Sequence, residues 1–286
     1  MLCNLPVRAS GLLALAVLSL AAQNSIPGNQ PFPPHKIVAN IYYVGADDIT
    51  SYLITTPAGH IVINAGYAET VPIIDAGIRK LGFNPKDVKI LLNGQAHYDH
   101  VAGMAALQKL TGGKVYSSER DAPVLESGGV KDPRWGKEQT YPAVKVDHIL
   151  KDGEKITLGG VTINTRLTPG HSLGCTTFTM TVDDGGKPLE VVFVGGTSIN
   201  PGVHFVGQPT WPGIADDFQK GFDVLKGLKC DVFLGAHGNY YGMKAKYERM
   251  SSGVNPYIDP EGYRKFVAAS EKTFHDQLAQ EKAALK

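Results

Sequence analysis

The segment ILLNGQAHYDHVAG, residues 90–103, places two imidazoles, a carboxylate and a carboxamide within six positions of the chain. It opens on the apolar run Ile90–Leu92, which is typical of a buried β-strand, and it leads into a predicted helix over Val101–Leu110. Side chains at the junction between a strand and a helix lie at the edge of an α/β sheet, where such folds bind ligands. The segment therefore predicts a strand–loop–helix unit with a functional site in its loop.

The four polar side chains of this loop are of the types that bind zinc. Gln95, His97 and Asp99 alternate along the chain, so an extended loop would point all three to one side. His100 adds a fourth group at the entrance to the helix. Zinc takes imidazole nitrogen and carboxylate oxygen ligands at about 2.0–2.2 Å. We therefore predict a zinc site here; the alternative is a hydrogen-bonded loop that only caps the helix.

Two further histidines follow strand-like runs in glycine-rich surroundings. His171 lies in RLTPGHSLG, and His237 ends the apolar stretch DVFLGAH. Either one alone is more typical of a structural histidine, but together with the first cluster both are predicted to reach a shared cleft. The other histidines after the apolar N-terminal segment are interpreted as structural, with His204 expected nearest the cleft: His35, His60, His148, His204 and His275.

The order of strand and helix patterns predicts two similar halves. In the first half, the strand-like runs KIVANIYYVG, SYLITT and GHIVINAG precede a helical stripe over Thr70–Leu81. The second half has strand-like runs between Glu154 and Val194, a helix over Ala215–Leu225, and a final amphipathic segment over Asp259–Ala284. Two sheets packed face to face, with helices outside, would bury such strands. We therefore predict an α/β fold, a four-layer αββα sandwich, with a long polar loop over residues 128–142.

The composition argues against nucleic-acid binding and for export. Lys and Arg total 28 against 27 Asp and Glu, and the chain has no basic cluster of the kind that phosphate contacts need. Residues 1–22 carry one basic residue and the apolar run GLLALAVLSLAA, with the small residues Ser19 and Ala21 near its end, as in a cleaved signal peptide. The alternative is a buried N-terminal helix. We predict a signal peptide over residues 1–21 and a single domain over residues 22–286, periplasmic or secreted.

After such cleavage the chain would keep two cysteines, Cys175 and Cys230. They could pair in an oxidising compartment, but their spacing does not decide this. No segment beyond the N-terminal one is apolar enough to cross a membrane, so the mature chain is expected to be soluble.

Three segments resemble the metallo-β-lactamase superfamily, and more closely the third subclass of class B metallo-β-lactamases. They are GQAHYDHVAG, YPAVKVDHILKDGEKITLGGVTINTRLTPGHSLGCTTFTM and DVFLGAHGNYYGM, in the family's order over nearly the whole mature chain. The resemblance implies the αββα fold with a metal site at one edge of the sandwich. It also implies two zinc pockets, the first formed by Gln95, His97 and His171 and the second by Asp99, His100 and His237.

The first pocket departs from the family pattern. The family motif usually begins with histidine where this chain has Gln95, although some members of the third subclass are similar in carrying glutamine. A neutral amide oxygen is a poorer partner for zinc than an imidazole nitrogen. A difference of ~2–3 kcal/mol would make the first pocket weaker by roughly 30–150 fold. We therefore predict one tightly held zinc, in the second pocket.

Two loops are expected to contact the substrate. Gly196, Thr197 and Ser198 stand where many relatives carry a metal-bridging aspartate, which the third lactamase subclass also lacks. We expect Thr197 and Ser198, together with Asn200, to hydrogen-bond a substrate carboxylate; the alternative is an ordinary polar loop. The loops near Tyr67 and over residues 130–141 are expected to shape substrate preference.

Asn64, where relatives commonly carry aspartate, is expected to support the metal-binding loop.

The resemblance implies zinc-dependent hydrolysis of the β-lactam amide bond by a metal-bound hydroxide, an activity that confers antibiotic resistance. Asp99 is expected to be catalytic, because it would bind zinc and orient the nucleophile. The expected partner is a small-molecule β-lactam, with no nucleic acid and no membrane, and the chain is expected to be a monomer. Two alternatives stay open: a zinc hydrolase of the same fold that acts on a lactone or thioester, and an exported metal-binding protein without catalytic activity.

Overall fold

The computed structural model describes residues 26–136 and 138–286, so the predicted signal peptide lies outside the described residues. Within these ranges the chain forms twelve strands and seven α-helices. The strands are β1 (His35–Val38), β2 (Ile41–Tyr43), β3 (Tyr52–Thr56), β4 (Gly59–Ile63), β5 (Val88–Leu92), β6 (Lys114–Ser118), β7 (His148–Leu150), β8 (Lys155–Leu158), β9 (Val161–Leu167), β10 (Thr176–Asp183), β11 (Pro188–Val194) and β12 (Val232–Gly235). The helices are α1 (Thr70–Lys80), α2 (Tyr98–Val101), α3 (Met104–Thr111), α4 (Ala122–Glu126), α5 (Ile214–Lys226), α6 (Met243–Glu248) and α7 (Pro260–Ala284).

The strands form two mixed sheets. The first has the order β1-β2-β3-β4-β5-β6-β7, antiparallel from β1 to β4 and parallel from β4 to β7. The second has the order β12-β11-β10-β9-β8, antiparallel except for the parallel pair of β11 and β12. Helices cover the outer face of each sheet, which confirms the predicted αββα sandwich.

The central strands β3 and β4 of the first sheet are buried on both faces. In β4, Ile61 and Ile63 join the cluster that packs against Phe178 and Phe193 of the second sheet. The intervening Val62 instead joins the cluster beneath α1 and α3. Because side chains alternate across a strand, a continuous apolar run such as IVI (residues 61–63) supplies both clusters at once. This is why the central strands read as apolar runs in the sequence.

The predicted helix over Val101–Leu110 corresponds mainly to α3, and a separate short helix, α2, precedes it, with residues 102–103 between the two. The amide of Gly103 donates to the carbonyl oxygen of Gly66 at 2.9 Å. A Cβ on Gly103 would overlap the carbonyl oxygens of Ala65 and Tyr67. Glycine therefore lets the helix entrance approach the loop after β4, and this contact interrupts the helix. The short elements β7, α4 and α6, of three to six residues, have no counterpart among the predicted elements.

The remaining expectations about the chain concern its cysteines and its helices. Cys175 and Cys230 are both free thiols, and Cys175 is fully buried. Across the described ranges, no helix has the combination of length and apolar character that a membrane crossing requires.

Candidate active site

The predicted metal ligands come from the carboxyl ends of three strands. Gln95 and His97 follow β5, His171 follows β9 and His237 follows β12. The loop and helix start after β5 also supply Asp99. Strand ends at one edge of a sandwich converge in space, and four of these side chains (His97, Asp99, His171 and His237) line a single cleft. Gln95 and His100 are fully buried.

The second predicted pocket is formed by Asp99, His100 and His237. One ligand-type atom from each of the three lies within 4.8 Å of the others. The two Nε2 atoms of His100 and His237 face each other at 3.2 Å. Oδ2 of Asp99 lies 3.1 Å from the first of them and 3.5 Å from the second. Two imidazole nitrogens and a carboxylate oxygen that converge in this way fit a zinc ion.

The first predicted pocket is formed by Gln95, His97 and His171. Nδ1 of His97 faces Nε2 of His171 at 3.1 Å. Nε2 of Gln95 donates to the carbonyl oxygen of Gly195 at 2.8 Å, and its Oε1 is buried without a hydrogen-bond partner in the described part of the chain. A buried acceptor without a partner costs stability. The free Oε1 therefore fits a metal ligand, although an amide oxygen is a weak one.

Burial sets the charge states that metal binding needs. It lowers the pKa of His97 to about 4 and that of His171 to about 3, so both rings are neutral at pH 7. Burial also lowers the pKa of His100. For Asp99, burial opposes ionisation, but the neighbouring His100 and His237 hold the pKa of the carboxyl far below its usual range. Neutral imidazoles beside an ionised carboxylate are the forms that bind zinc.

The loop that carries Gln95 is held by Asn64. This residue follows β4 with a φ of 62°, in the left-handed region that asparagine tolerates better than most residues. Its Oδ1 accepts a hydrogen bond from the amide of Gly94 at 3.0 Å, directly before Gln95. The structure thus shows the supporting contact that was expected of Asn64.

Gly196 lies against the first pocket with no room for a side chain. A Cβ at this position would overlap the imidazole ring of His171. The neighbouring Gly195 is similarly enclosed, between Gly94 and Thr176. A metal-bridging aspartate at Gly196 would therefore require His171 to move.

The cleft above the pockets has a volume of about 220 Å³. Ser198 and Asn200 line it, as expected of residues that contact a substrate. Thr197 is placed differently: it is buried, and its hydroxyl donates to Ser270 of α7 at 3.1 Å, away from the cleft. His204 does not line the cleft either; its exposed ring lies 3.8 Å from Glu281.

Several residues at the site carry no strong local sequence signal. Tyr98 and Trp135 line the cleft together with Tyr67, and Trp135 belongs to the long loop over residues 128–142. Asp48 and Asp132 contact two of the histidines from outside the pockets. The length of the loop over residues 128–142 indicated that the loop as a whole has a function, but it did not single out Trp135 or Asp132. Nothing in the sequence distinguishes Asp48 from other surface aspartates.

Comparisons with known proteins agree with this geometry. The family model of the metallo-beta-lactamase superfamily matches residues 44–237. The native FEZ-1 metallo-beta-lactamase from Legionella gormanii is 40% identical, with a TM-score of 0.88, over 90% of this chain and 99% of that one. BJP-1, a subclass B3 metallo-beta-lactamase of Bradyrhizobium japonicum, is 41% identical, with a TM-score of 0.85, over 91% of this chain and 98% of that one.

A more distant relative has another activity. A hydroxyacylglutathione hydrolase of Rhodopseudomonas palustris (strain BisA53) is 25% identical over 240 residues, which is 83% of this chain and 82% of the relative. The structures of FEZ-1 and BJP-1 confirm the resemblance to the third subclass. The hydroxyacylglutathione hydrolase shows that more distant relatives include other hydrolases. The fold, the clustered histidines and the family match lead to one conclusion: this chain belongs to the metallo-beta-lactamase superfamily.

Proposed function

We propose that the protein is a zinc-dependent hydrolase that opens the amide bond of β-lactams. The observation that carries the proposal is the convergence of Asp99, His100 and His237 beside His97 and His171, on one cleft. The chain is 40% identical in sequence to a metallo-beta-lactamase over most of both chains, with a TM-score of 0.88. The superfamily match alone does not select a substrate. The similarity to FEZ-1 and BJP-1, two metallo-beta-lactamases, supports a β-lactam.

The proposed metal ligands fall into two sets. Asp99, His100 and His237 would hold the more tightly bound zinc, since all three groups are good zinc ligands. Gln95, His97 and His171 would hold a second zinc more weakly, because one ligand is an amide oxygen. Bound zinc would activate a water molecule and stabilise the negative charge that develops as the ring opens.

Asp99 is the residue that we assign to orienting the nucleophile. Its carboxylate lines the cleft and is ionised, so it can accept a hydrogen bond but cannot donate one. A water held by this acceptor would keep its lone pairs directed toward the substrate carbonyl. Positioning of this kind lowers the barrier because the reacting atoms are already aligned.

Substrate binding is assigned to the rim of the cleft. Ser198 is exposed beside the first pocket, and Asn200 lines the same wall, so both can hydrogen-bond a carboxylate of the substrate. Aromatic side chains of Tyr67, Tyr98 and Trp135 line the cleft and can pack against apolar substituents. Thr197 is left out of this set because its hydroxyl is bonded to Ser270.

A second candidate is hydrolysis of a lactone or thioester, which the similarity to a hydroxyacylglutathione hydrolase favours. The structure offers less support for it. Gly196 leaves no room for a metal-bridging carboxylate. Among the described residues that line the cleft, none is a lysine or arginine that would bind the glycyl carboxylate of glutathione. The third possibility is an exported metal-binding protein without activity. The only observation in its favour is the amide ligand Gln95 in the first pocket.

Localisation and assembly are part of the proposal. We propose an exported enzyme, on the basis of the apolar segment in residues 1–22, and we propose that it acts as a monomer. N-terminal sequencing of the protein purified from the periplasm or culture medium tests the export. A mature N-terminus near residue 22 is expected, and an intact Met1 would contradict it.

The proposed reaction is tested with a hydrolysis panel. The purified protein would be assayed on a penicillin, a cephalosporin, a carbapenem, a lactone and a glutathione thioester, with and without a zinc chelator. We expect β-lactam turnover that the chelator abolishes and added zinc restores. Turnover of only the lactone or thioester would favour the second candidate, and no turnover of any substrate with zinc bound would favour the third.

A pair of variants makes the panel specific to the site. Asp99→Ala is expected to abolish turnover because it removes a zinc ligand and the orienting acceptor. Asp75→Ala is the matched control, since Asp75 lies on α1 and is paired with Arg79. An Asp99→Ala variant with undiminished activity would contradict the mechanism.

A further inference from the structure

Each ring that faces a metal pocket has a second nitrogen that points away from it. In metal sites this outer nitrogen usually donates to a carboxylate or carbonyl oxygen, which fixes the position of the ring and of its proton. Nδ1 of His171 has such a partner in the backbone oxygen of Ser198, at 2.7 Å. A side-chain substitution cannot remove that acceptor, and Nδ1 of His100 has no hydrogen-bond partner among the described residues. The partners of His97 and His237 are therefore the ones that mutation can test.

The outer nitrogen of His237 contacts Asp48. Nδ1 of the ring lies 3.1 Å from Oδ2 of the carboxylate. The carboxylate is itself fixed, because Oδ1 accepts the amide of Asn239 at 2.8 Å. The backbone oxygen of Asp48 also accepts the amide of Gly238, at 2.7 Å. The loop between β2 and β3 is thus bonded to the turn after β12, with the carboxylate directed at the ring.

The outer nitrogen of His97 faces Asp132. Nε2 of the ring lies 3.7 Å from Oδ2 of the carboxylate, too far for a direct hydrogen bond. Because the ring is neutral, the contact is between the charge of the carboxylate and the dipole of the ring N–H. Both side chains are less than one-tenth exposed. Oδ1 of Asp132 accepts the amides of Arg134 and Trp135 at 2.8 and 2.7 Å, which holds the carboxylate in place.

We propose that Asp48 and Asp132 are positioning residues, one for each metal pocket. Asp48 orients His237 of the second pocket and Asp132 orients His97 of the first, so that the nitrogen facing each pocket keeps its lone pair free for the metal. The inference rests on the proposed function for the identity of the two pockets. It adds that the carboxylates act separately, because they belong to different loops and contact rings of different pockets.

The second pocket depends on its carboxylate more directly than the first. Asp48 makes a hydrogen bond with His237, whereas Asp132 acts on His97 across a longer gap. Loss of an outer partner typically weakens metal binding by about 10–100 fold. We therefore expect loss of Asp48 to weaken zinc binding in the second pocket by the full range, and loss of Asp132 to weaken it in the first pocket by only the lower end of that range.

The test is a zinc titration in which each variant serves as the other's control. The full chain with Asp48→Ala or Asp132→Ala would be stripped of metal and titrated against a competing chelator, which yields two zinc dissociation constants. Asp48→Ala should weaken the tighter site and leave the other within about threefold; Asp132→Ala should do the reverse. Asp47→Ala is the matched surface control, since Asp47 binds Lys244 at 2.7 Å and contacts neither ring.

A second measurement does not depend on metal or activity. Ring ¹⁵N chemical shifts of the metal-free protein report which nitrogen carries the proton. In the parent protein we expect His237 to carry its proton on Nδ1 and His97 to carry its proton on Nε2. Asp48→Ala should remove only the preference of His237, and Asp132→Ala only that of His97. In Asp48→Asn and Asp132→Asn the remaining oxygen can still accept the backbone amides that hold Oδ1, so the NH2 group faces the ring in place of the acceptor Oδ2. These variants keep the size of the side chain and provide the reading if an alanine variant does not fold.

The outcomes separate this inference from the proposed function. A parent protein that binds zinc, with variants that leave both constants and both ring shifts unchanged, would overturn the inference alone. Equal weakening of both sites by either variant would also overturn it, because it would show a general loss of structure. If the parent protein bound no zinc, the proposed function would fail, while the ring shifts would still decide whether the carboxylates orient the histidines.

Discussion

The predicted weakness of the first metal pocket can be tested by replacing its amide ligand with imidazole, in the variant Gln95→His. The fully buried Gln95 divides its amide between two tasks: Nε2 donates to the carbonyl oxygen of Gly195 and Oε1 is left for the pocket. A histidine can perform both tasks, because one ring nitrogen donates while the other presents a lone pair. The substitution therefore exchanges an oxygen ligand for a nitrogen ligand without removing the supporting hydrogen bond.

The expected gain follows from the ligand types. Imidazole nitrogen is a better zinc ligand than a neutral amide oxygen, and we take the difference as ~2–3 kcal/mol. At about 1.4 kcal/mol per tenfold, the first pocket of Gln95→His should bind zinc roughly 30–150 times more tightly than that of the parent protein. The second pocket, formed by Asp99, His100 and His237, shares none of these ligands and should be unchanged.

The assay measures both pockets in the same sample. The metal-free protein is titrated with zinc against a chromophoric chelator, and crystals grown at sub-stoichiometric zinc are analysed by anomalous diffraction. In the parent protein, we expect zinc only in the second pocket at low zinc, whereas Gln95→His should fill both. Gln139→His is the control, since Gln139 lines the cleft but belongs to neither pocket.

Two results would refute this reasoning. Equal occupancy of both pockets in the parent protein at limiting zinc would show that the amide does not weaken the first pocket. An unchanged weaker dissociation constant in Gln95→His would show that the ligand at this position does not control its affinity.

Substitutions at three further positions test the surroundings of the pockets. Gly196→Ala should weaken the first pocket at least tenfold in zinc titrations, because its Cβ overlaps the ring of His171. Asn64→Ala should lower the free energy of unfolding by about 2–4 kcal/mol in urea denaturation, because alanine is strained in the left-handed conformation and the amide of Gly94 loses its acceptor. Asn64→Gly should avoid the strain and therefore lose less stability. Burial raises the pKa of Asp121 to about 6. Between pH 4 and 6 the unfolded chain therefore releases this proton and the folded chain keeps it, so stability should fall as pH rises, by up to about 3 kcal/mol relative to Asp121→Asn. Parallel pH profiles of the two proteins would contradict that assignment.

Local sequence patterns were sufficient for the fold class and for locating the segments that carry the candidate metal ligands. Alternation of apolar residues predicts strands because side-chain direction repeats every two residues, and runs such as IVI in β4 predict a sheet covered on both faces. The cluster from Gln95 to His100 is local, so its spacing alone places its side chains at one loop. The same local reasoning predicted one helix after that loop, and it was wrong because the break at Gly103 depends on a contact with the loop after β4.

Tertiary structure alone decided which distant groups meet. Asp48 contacts His237 across 189 positions of the chain, and Thr197 directs its hydroxyl to Ser270 on α7 rather than to the cleft. Such pairings depend on how the sheets and helices pack, since a side chain's direction in a loop is set by the backbone around it and not by its neighbours in sequence. Residue types and spacing therefore specified which groups could bind metal, and the packing of the two sheets specified which oxygens hold those groups in position.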